Sequence, residues 1–434
     1  MKVNGNYVFN DDEILAEMEN VHIRKQSYQS SSAGLIDQQV TKWITDAADE
    51  LPQTLHEVFD EEDDPDLMNA RITYEEVTRT FGQCSNSPGP DGVSGLMLDK
   101  ADRELMIGCL LRLWNAVWTS NTVPSEWKLE HRKLIPKAGK DSYNECTAYR
   151  TVSMTDILGK RLEKVVLARL VCELERQGFD ERQFAYLTLR SSTLAVLSLV
   201  EEIKNNILEH KFTGVLFFDF ADAFGSVNRR KLLYKLRKDF GIQGRLFLYL
   251  VSFLSGRQAR ITVNQLIGEW IHSEYGTSAG TVIGAVLFIS YVHDAPSCIF
   301  PKFADDLAGL VSAADIVTVE DSLQSVLSQL NSWAEEWELQ LNTSKTKVML
   351  FGSQQGRLNL ALQGVKIEQV ESIKYLGVWL DTHLTFLQQA EYATSKASKA
   401  YWKVNRLIDG RRGLTSKTGI EFCKSLIDLA GSFR

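Results

Sequence analysis

Two aspartates, Asp305 and Asp306, stand side by side inside an otherwise apolar run, Phe303-Ala304-Asp305-Asp306-Leu307-Ala308-Gly309-Leu310-Val311. Other adjacent pairs, Asp11-Asp12 and Asp63-Asp64, lie in polar, acidic surroundings and read as solvated. The pair at 305–306 is different, because carboxylates close to a core are disfavoured unless protonated, paired or bound to a cation. Residues 299–311 read as strand, turn and strand, with the pair at the turn. A plain polar hairpin turn is the competing reading of this segment alone.

A second segment narrows the choice. Thr213-Gly214-Val215-Leu216-Phe217-Phe218 is short, β-rich and continuously apolar, which suits a buried strand, and it runs straight into Asp219. Two such strands in one sheet could bring their carboxylates together. Asp219, Asp305 and Asp306 would then bind Mg2+, with Mn2+ as an alternative, because a hard cation takes oxygen ligands and substrate phosphates. Two such ions about 4 Å apart stabilise both the attacking and the leaving oxygen in phosphoryl displacement. Successive strand side chains point to opposite faces, so Asp305 and Asp306 are expected to share metals with Asp219 unequally.

Elsewhere the spacing of apolar residues predicts helices near 11–25, 33–60, 101–119, 154–178, 192–209, 228–240, 281–293, 319–340 and 387–407. Strands are expected at 257–264, 347–352 and 373–380. Helices and strands mix without strict βαβ alternation, which favours an α+β architecture with an antiparallel sheet backed by helices. No apolar run reaches 18 residues, so no membrane span is expected, and the N-terminus does not read as a secretory signal. The six cysteines, Cys84, Cys109, Cys146, Cys172, Cys298 and Cys423, are scattered and form no Cys-x-x-Cys pair. They read as free thiols of an intracellular protein, in nucleus or cytoplasm.

The net charge of −8 misleads until it is divided. Residues 1–75 hold 17 acidic against 5 basic side chains, and the remainder holds 39 against 43. The acidity belongs to an N-terminal arm that includes Asp60-Glu61-Glu62-Asp63-Asp64, and the body is mildly basic. In 387–407, Lys396, Lys399, Lys403 and Arg406 recur at near-helical spacing with Tyr401 and Trp402 between them. Such a face suits a phosphate backbone, and an ordinary solvated face is its plain alternative.

With these residues in view, the chain resembles the reverse transcriptases of non-LTR, jockey-like retrotransposons. Asp219-Phe220-Ala221-Asp222-Ala223-Phe224 looks like their first catalytic motif, and Phe303-Ala304-Asp305-Asp306 like their second. Ser87-Pro88-Gly89-Pro90-Asp91-Gly92 resembles the opening motif. Ile135-Pro136-Lys137-Ala138-Gly139-Lys140 with Tyr149-Arg150 resembles the fingers motifs. Gly280 with Tyr291 and Asp294 is similar to the template-binding motif. Leu341-Asn342-Thr343-Ser344-Lys345-Thr346-Lys347 and Tyr375-Leu376-Gly377 resemble the last two palm motifs. The similarity covers roughly residues 80–410.

The resemblance implies a right-hand polymerase. The acidic arm would span 1–75, the fingers 76–212, an antiparallel palm sheet backed by helices 213–385, and a partial basic thumb 386–434. It implies RNA-directed DNA synthesis: a primer 3′-hydroxyl attacks the α-phosphate of an incoming deoxynucleoside triphosphate opposite an RNA template. Asp219 and Asp305 would hold metal with Asp306 assisting. Lys137 and Arg150 would hold the triphosphate, where a guanidinium fork suits phosphate oxygens. Phe224 would lie against the sugar and exclude a 2′-hydroxyl. Ala279 and Gly280 would border the nucleotide, and Lys345 or Lys347 could act as general acid. Tyr375, Leu376 and Gly377 would grip the DNA primer, with Lys396, Lys399, Lys403 and Arg406 on template and primer. No protein partner is implied.

The match departs at several places. Ser278-Ala279-Gly280 stands where the family usually has Pro-Gln-Gly, and Thr151 where a proline usually follows Tyr-Arg. Ala185-Tyr186-Leu187-Thr188-Leu189 replaces a Gly-rich stretch after Gln183-Phe184, and Asp222 and Gly225 stand where Lys and Asp are common. These changes raise an alternative, a decayed or co-opted element fragment that binds nucleic acid without catalysis. Neither an endonuclease, a ribonuclease H segment nor a zinc knuckle is read in the chain, so autonomous retrotransposition is not expected from it alone.

Overall fold

A computed structural model of the 434-residue chain describes residues 2–3, 6–7, 11–23, 33–49, 68–82, 87–137, 142–263, 266–278, 280–352 and 356–408. The architecture is mixed α+β and divides into two units.

The first unit comprises Met1–Asp180, Ala221–His293 and Ala334–Gln340. Its sheet is built on the strand Leu129–Pro136, antiparallel to Tyr149–Met154 and parallel to Gln258–Val263. The first two strands were not anticipated from the sequence. The inward positions of Leu129–Pro136 are Glu130 and Arg132, which are charged, so no apolar alternation marks it. The helix Gly244–Leu254 also escaped notice. It buries side chains nearly all round, Arg245 included. The long helix Ile157–Arg176 was legible, with Leu162, Val165, Val166 and Leu170 buried at helical spacing. Its start is fixed by Asp156, whose carboxylate accepts the N–H groups of Leu158 and Gly159 at 2.7 and 3.2 Å.

Within the acidic N-terminal segment, two helices dock on this unit. Met18 and Ile23, on and just past the helix Asp11–His22, cluster with Cys146, Ala259, Ile261 and Val263. The helix Ala33–Asp49 buries Ile36, Val40 and Ala47, and its Trp43 stacks on Tyr234 with ring centroids 5.6 Å apart. The acidic run 60–64 lies outside the described residues.

The second unit comprises Glu181–Phe220, Asp294–Trp333 and Leu341–Arg434. Its sheet has five strands in the order Glu368–Gln369, Lys347–Phe351, Phe212–Phe218, Asp306–Ala313, Ile299–Phe303. All pairings are antiparallel except the short Glu368–Gln369 edge, which is parallel. Phe212–Phe218 is central and covered on both faces, which explains its continuous apolar run. On one face Val215 and Phe217 join Val196, Leu199, Val200 and Ile203 of the helix Ser192–Leu208. On the other, the helix Ile316–Glu336 comes so close that a Cβ on Gly214 would meet a methyl of Leu323 at 2.5 Å. Burying four such side chains stabilises the strand by about 1.5–3 kcal/mol each.

The segment 373–380 is not one strand. Ser372–Tyr375 and Val378–Asp381 form a hairpin, with Leu376 and Gly377 at the turn, both at positive φ (47° and 87°). A two-residue turn of this kind needs left-handed backbone at both corners.

Candidate active site

Sheet register places the three aspartates at one end of the second unit's sheet. Phe218 pairs with Leu307, so Asp219, which follows the one, and Asp306, which precedes the other, extend the same pairing. Asp306 pairs with Phe303 across a two-residue turn whose corners are Ala304 and Asp305. The backbone of Asp219 is held from the opposite edge. Its carbonyl accepts the N–H of Asn342 at 2.7 Å, and Phe220 bridges to Leu341. The Leu341-to-Lys347 motif thus reaches the first aspartate through its main chain.

Charge is unbalanced here. The ammonium of Lys345 contacts Asp219 Oδ2 at 2.8 Å. Neither Asp305 nor Asp306 forms an ion pair among the described residues. Burial, and then the charge of Asp219, raises the Asp305 carboxyl above the usual carboxylate range, with Lys345 opposing. Asp306 is pushed up to about 7 by loss of hydration, by Asp305 and by Asp219. Its side chain is exposed, so water screens part of that crowding. Three oxygen-donor groups gathered at one sheet end, two of them with raised proton affinity, are a fit for a divalent cation, and Lys345 brings a positive charge to Asp219. The other lysine of that motif, Lys347, pairs with Glu368 at 2.6 Å.

Tyr375 belongs to the core of this unit rather than to its surface. Its ring packs on Phe217 at 5.1 Å, and its hydroxyl is buried without a hydrogen-bond partner. Burial, and then Asp306, raises the phenol well above its ordinary value. Gly377 at the hairpin tip is exposed and Leu376 half-buried. On the helix Leu387–Ile408, Lys396 and Lys399 are exposed, as are Tyr401 and Trp402. The side chains of Lys403 and Arg406 lie outside the described residues. Lys374 donates to the Tyr392 hydroxyl at 2.7 Å and lies over the same ring as Lys396.

The other sequence-predicted residues belong to the first unit. Arg150 is exposed on the strand Tyr149–Met154, opposite Ile135. Lys137 is exposed, and its N–H bonds the carbonyl of Ala148 at 2.9 Å. Gly280, at φ +112°, lies against the same strand, where a Cβ would meet the Ser153 carbonyl at 2.5 Å. Ala279 lies outside the described residues, as do Ala138, Gly139 and Lys140. Phe224 is half-buried with its ring 4.5 Å from that of Phe288, and its carbonyl accepts the N–H of Thr277 at 2.9 Å.

Sequence reasoning missed Glu130. It is fully buried and accepts from Ser278 (2.5 Å), Arg257 (2.7 Å) and Ser153 (2.9 Å), with Arg132 at 3.3 Å. The two arginines, Arg257 first, hold its carboxyl far below the usual range against the cost of burial. Glu130 therefore ties the turn at Ser278 to the strand that carries Arg150. A lone Glu in a basic segment gives no pattern that could have revealed this.

A carboxylate cluster on the tip of an antiparallel sheet, flanked by helices, has the donor set of metal-dependent phosphoryl-transfer proteins. Comparison with known proteins makes the class definite: the chain belongs to the reverse transcriptase (RNA-dependent DNA polymerase) family, whose profile matches residues 135–380. It is 27% identical over 387 residues to the RNA-directed DNA polymerase from mobile element jockey of Drosophila melanogaster, covering 83% of this chain and 41% of that protein. Against the protein of the same name from Drosophila funebris it is 25% identical over 372 residues, covering 82% and 40%. The chain thus spans about two fifths of the length of these relatives. Among the described residues no helix is long and apolar enough to cross a membrane.

Proposed function

We propose that this chain is an RNA-directed DNA polymerase module that extends a DNA primer on an RNA template with deoxynucleoside triphosphates. The observation that carries the reading is the register that aligns Asp219 with Asp306 beside the Asp305 turn, within the span matched by the family. Asp219 and Asp305 would hold the divalent ions, Mg2+ or Mn2+, with Asp306 assisting beside them. When bound, such ions stabilise the negative charge that develops on the attacking and leaving oxygens.

The protein's own groups do the rest. Lys345, which contacts Asp219 at 2.8 Å, would serve as the proton donor to the departing pyrophosphate. Lys137 and Arg150, on or beside one strand, bind the triphosphate. Phe224 bounds the sugar and disfavours a 2′-hydroxyl, while Ala279 and Gly280 border the base pair. The tip at Leu376-Gly377, rather than the inward Tyr375 ring, meets the primer, and Lys396, Lys399, Lys403 and Arg406 track its phosphates. In this reading residues 76–212 are fingers, 213–385 palm and 386–434 the start of a thumb. The alternative raised by the departures at Ala279 and Thr151, a nucleic-acid-binding remnant, is not favoured, since all three aspartates are present.

Primer extension on an RNA template with Mg2+, comparing deoxy- with ribonucleotides, tests the proposal. Extension with deoxynucleotides, abolished by Asp219→Ala, is expected. Failure of extension while RNA is still bound would overturn it.

A further inference from the structure

Gln183 is an uncharged residue with no exposure, set in the short stretch that precedes the helix Ser192–Leu208. Its stretch runs parallel to the strand Ile299–Phe303 and adds to its free edge. Lys302 donates its N–H to the carbonyl of Arg182, and Phe184 donates to the carbonyl of Lys302, both at 2.8 Å. The backbone of Gln183 is therefore held two residues from the turn that carries Asp305.

The turn needs what Gln183 offers. Ala304, its first corner, adopts φ +53°, a left-handed conformation that a residue with a Cβ resists. Ala304 is also only 2% exposed, so water cannot serve its N–H. The hairpin's own closing pair is Phe303 with Asp306, which leaves the Ala304 N–H outside the ladder. Gln183 Oε1 accepts that N–H at 3.1 Å and the N–H of Ala185 at 3.0 Å. One amide oxygen thus ties the strained corner to the edge stretch. Three residues on, at φ +59°, Tyr186 stands close enough to both carboxylates that, after burial, Asp305 and Asp306 raise its phenol.

We infer that Gln183 is a positioning residue: through the Ala304 N–H it holds the left-handed corner that aims the Asp305 carboxylate at Asp219. The inference rests on the reading of these aspartates as metal ligands. Gln183 touches neither substrate nor metal, and it acts only through the turn.

Residue-resolved amide hydrogen exchange and Mn2+ titration by electron paramagnetic resonance test it, on the full chain. Gln183→Met removes the acceptor at similar volume. The Ala304 amide should exchange at least tenfold faster, and the Mn2+ dissociation constant should rise about tenfold. Gln183→Glu keeps the acceptor and should leave Ala304 protected. Adding Ala304→Gly to Gln183→Met should recover most of the Mn2+ affinity, because glycine takes positive φ without strain; a general packing defect would not be rescued this way. Unchanged Ala304 exchange or unchanged Mn2+ affinity in Gln183→Met overturns the inference. If Gln183→Met does not fold, an unprotected Ala304 amide in the wild type overturns it, and protection in both wild type and Gln183→Glu supports it. Mn2+ binding without primer extension in the wild type would instead count against the polymerase reading and leave the clamp standing.

Discussion

The Lys345 ammonium rests on Asp219, Nζ to Oδ2 at 2.8 Å, while Asp305 and Asp306 have no ion pair among the described residues. On the proposed reading of Asp219 as a metal ligand, lysine and metal would compete for one carboxylate. Lys345→Ala should tighten Mn2+ binding to the free protein about threefold, a modest gain because the pair is partly exposed. The same variant should slow nucleotide incorporation by about a hundredfold if the lysine is the proton donor. Titration and single-turnover extension separate the two effects, and tighter metal with unimpaired turnover would remove Lys345 from the chemistry.

The three aspartates should not be equivalent. Asp219→Asn and Asp305→Asn are expected to lower incorporation by about a thousandfold or more, in line with the loss of a preorganised electrostatic contact. Asp306→Asn should cost far less. It should also raise the melting temperature slightly at pH 8, since it relieves crowding by Asp305 and Asp219. Equal losses at 305 and 306 would contradict the assigned roles.

Asp156 gives a pH signature in the first unit. Burial, and then a hydrogen bond and repulsion from Asp91, raise its carboxyl from 3.8 to about 6. The folded protein therefore binds a proton that the unfolded chain has released between those values, so stability falls as pH rises through that window and levels off above it. Asp156→Asn keeps a helix-capping side chain. It should stabilise by about 1 kcal/mol at pH 8 and by little at pH 4, as read from thermal melts at both values.

Gly280→Ala meets two obstacles, a φ of +112° and a carbonyl oxygen of Ser153 at 2.5 Å from the new Cβ. A loss of about 1–3 kcal/mol in denaturant unfolding is expected. The strand beside it carries Arg150, so the Michaelis constant for nucleotide should rise as well.

Tyr375 supplies a contrast between packing and contact. Its hydroxyl is buried without a partner, so Tyr375→Phe should be neutral or stabilising by up to about 1 kcal/mol, with primer extension intact. Tyr375→Ala should cost about 3–5 kcal/mol through the cavity left against Phe217. A large loss of primer affinity in Tyr375→Phe would instead restore the ring to the primer.

Local pattern carried much of this protein. The apolar run ending at Asp219, a turn beside Asp305 (one residue earlier than the expected 305–306) and the helices Ile157–Arg176 and Ser192–Leu208 could be read directly, because burial on one or both faces leaves a periodic or continuous apolar record. The strand Leu129–Pro136 could not be, because its inward residues are Glu130 and Arg132, stabilised by partners distant in the chain. Tyr375 was assigned to the primer by motif, and tertiary packing turned its ring inward.

The candidate site divides in the same way. Residue type and spacing alone led to the expectation that carboxylates stand at the ends of apolar strands, where a divalent cation and substrate phosphates would suit them. Only the tertiary structure decided the register that aligns Asp219 with Asp306, the placement of Lys345 rather than Lys347 on Asp219, and the contact of Gln183 with the Ala304 turn. Apolar periodicity records which face is buried, but a hydrogen bond donated by a turn N–H to a buried side-chain amide oxygen 121 residues away leaves no periodic trace in either segment.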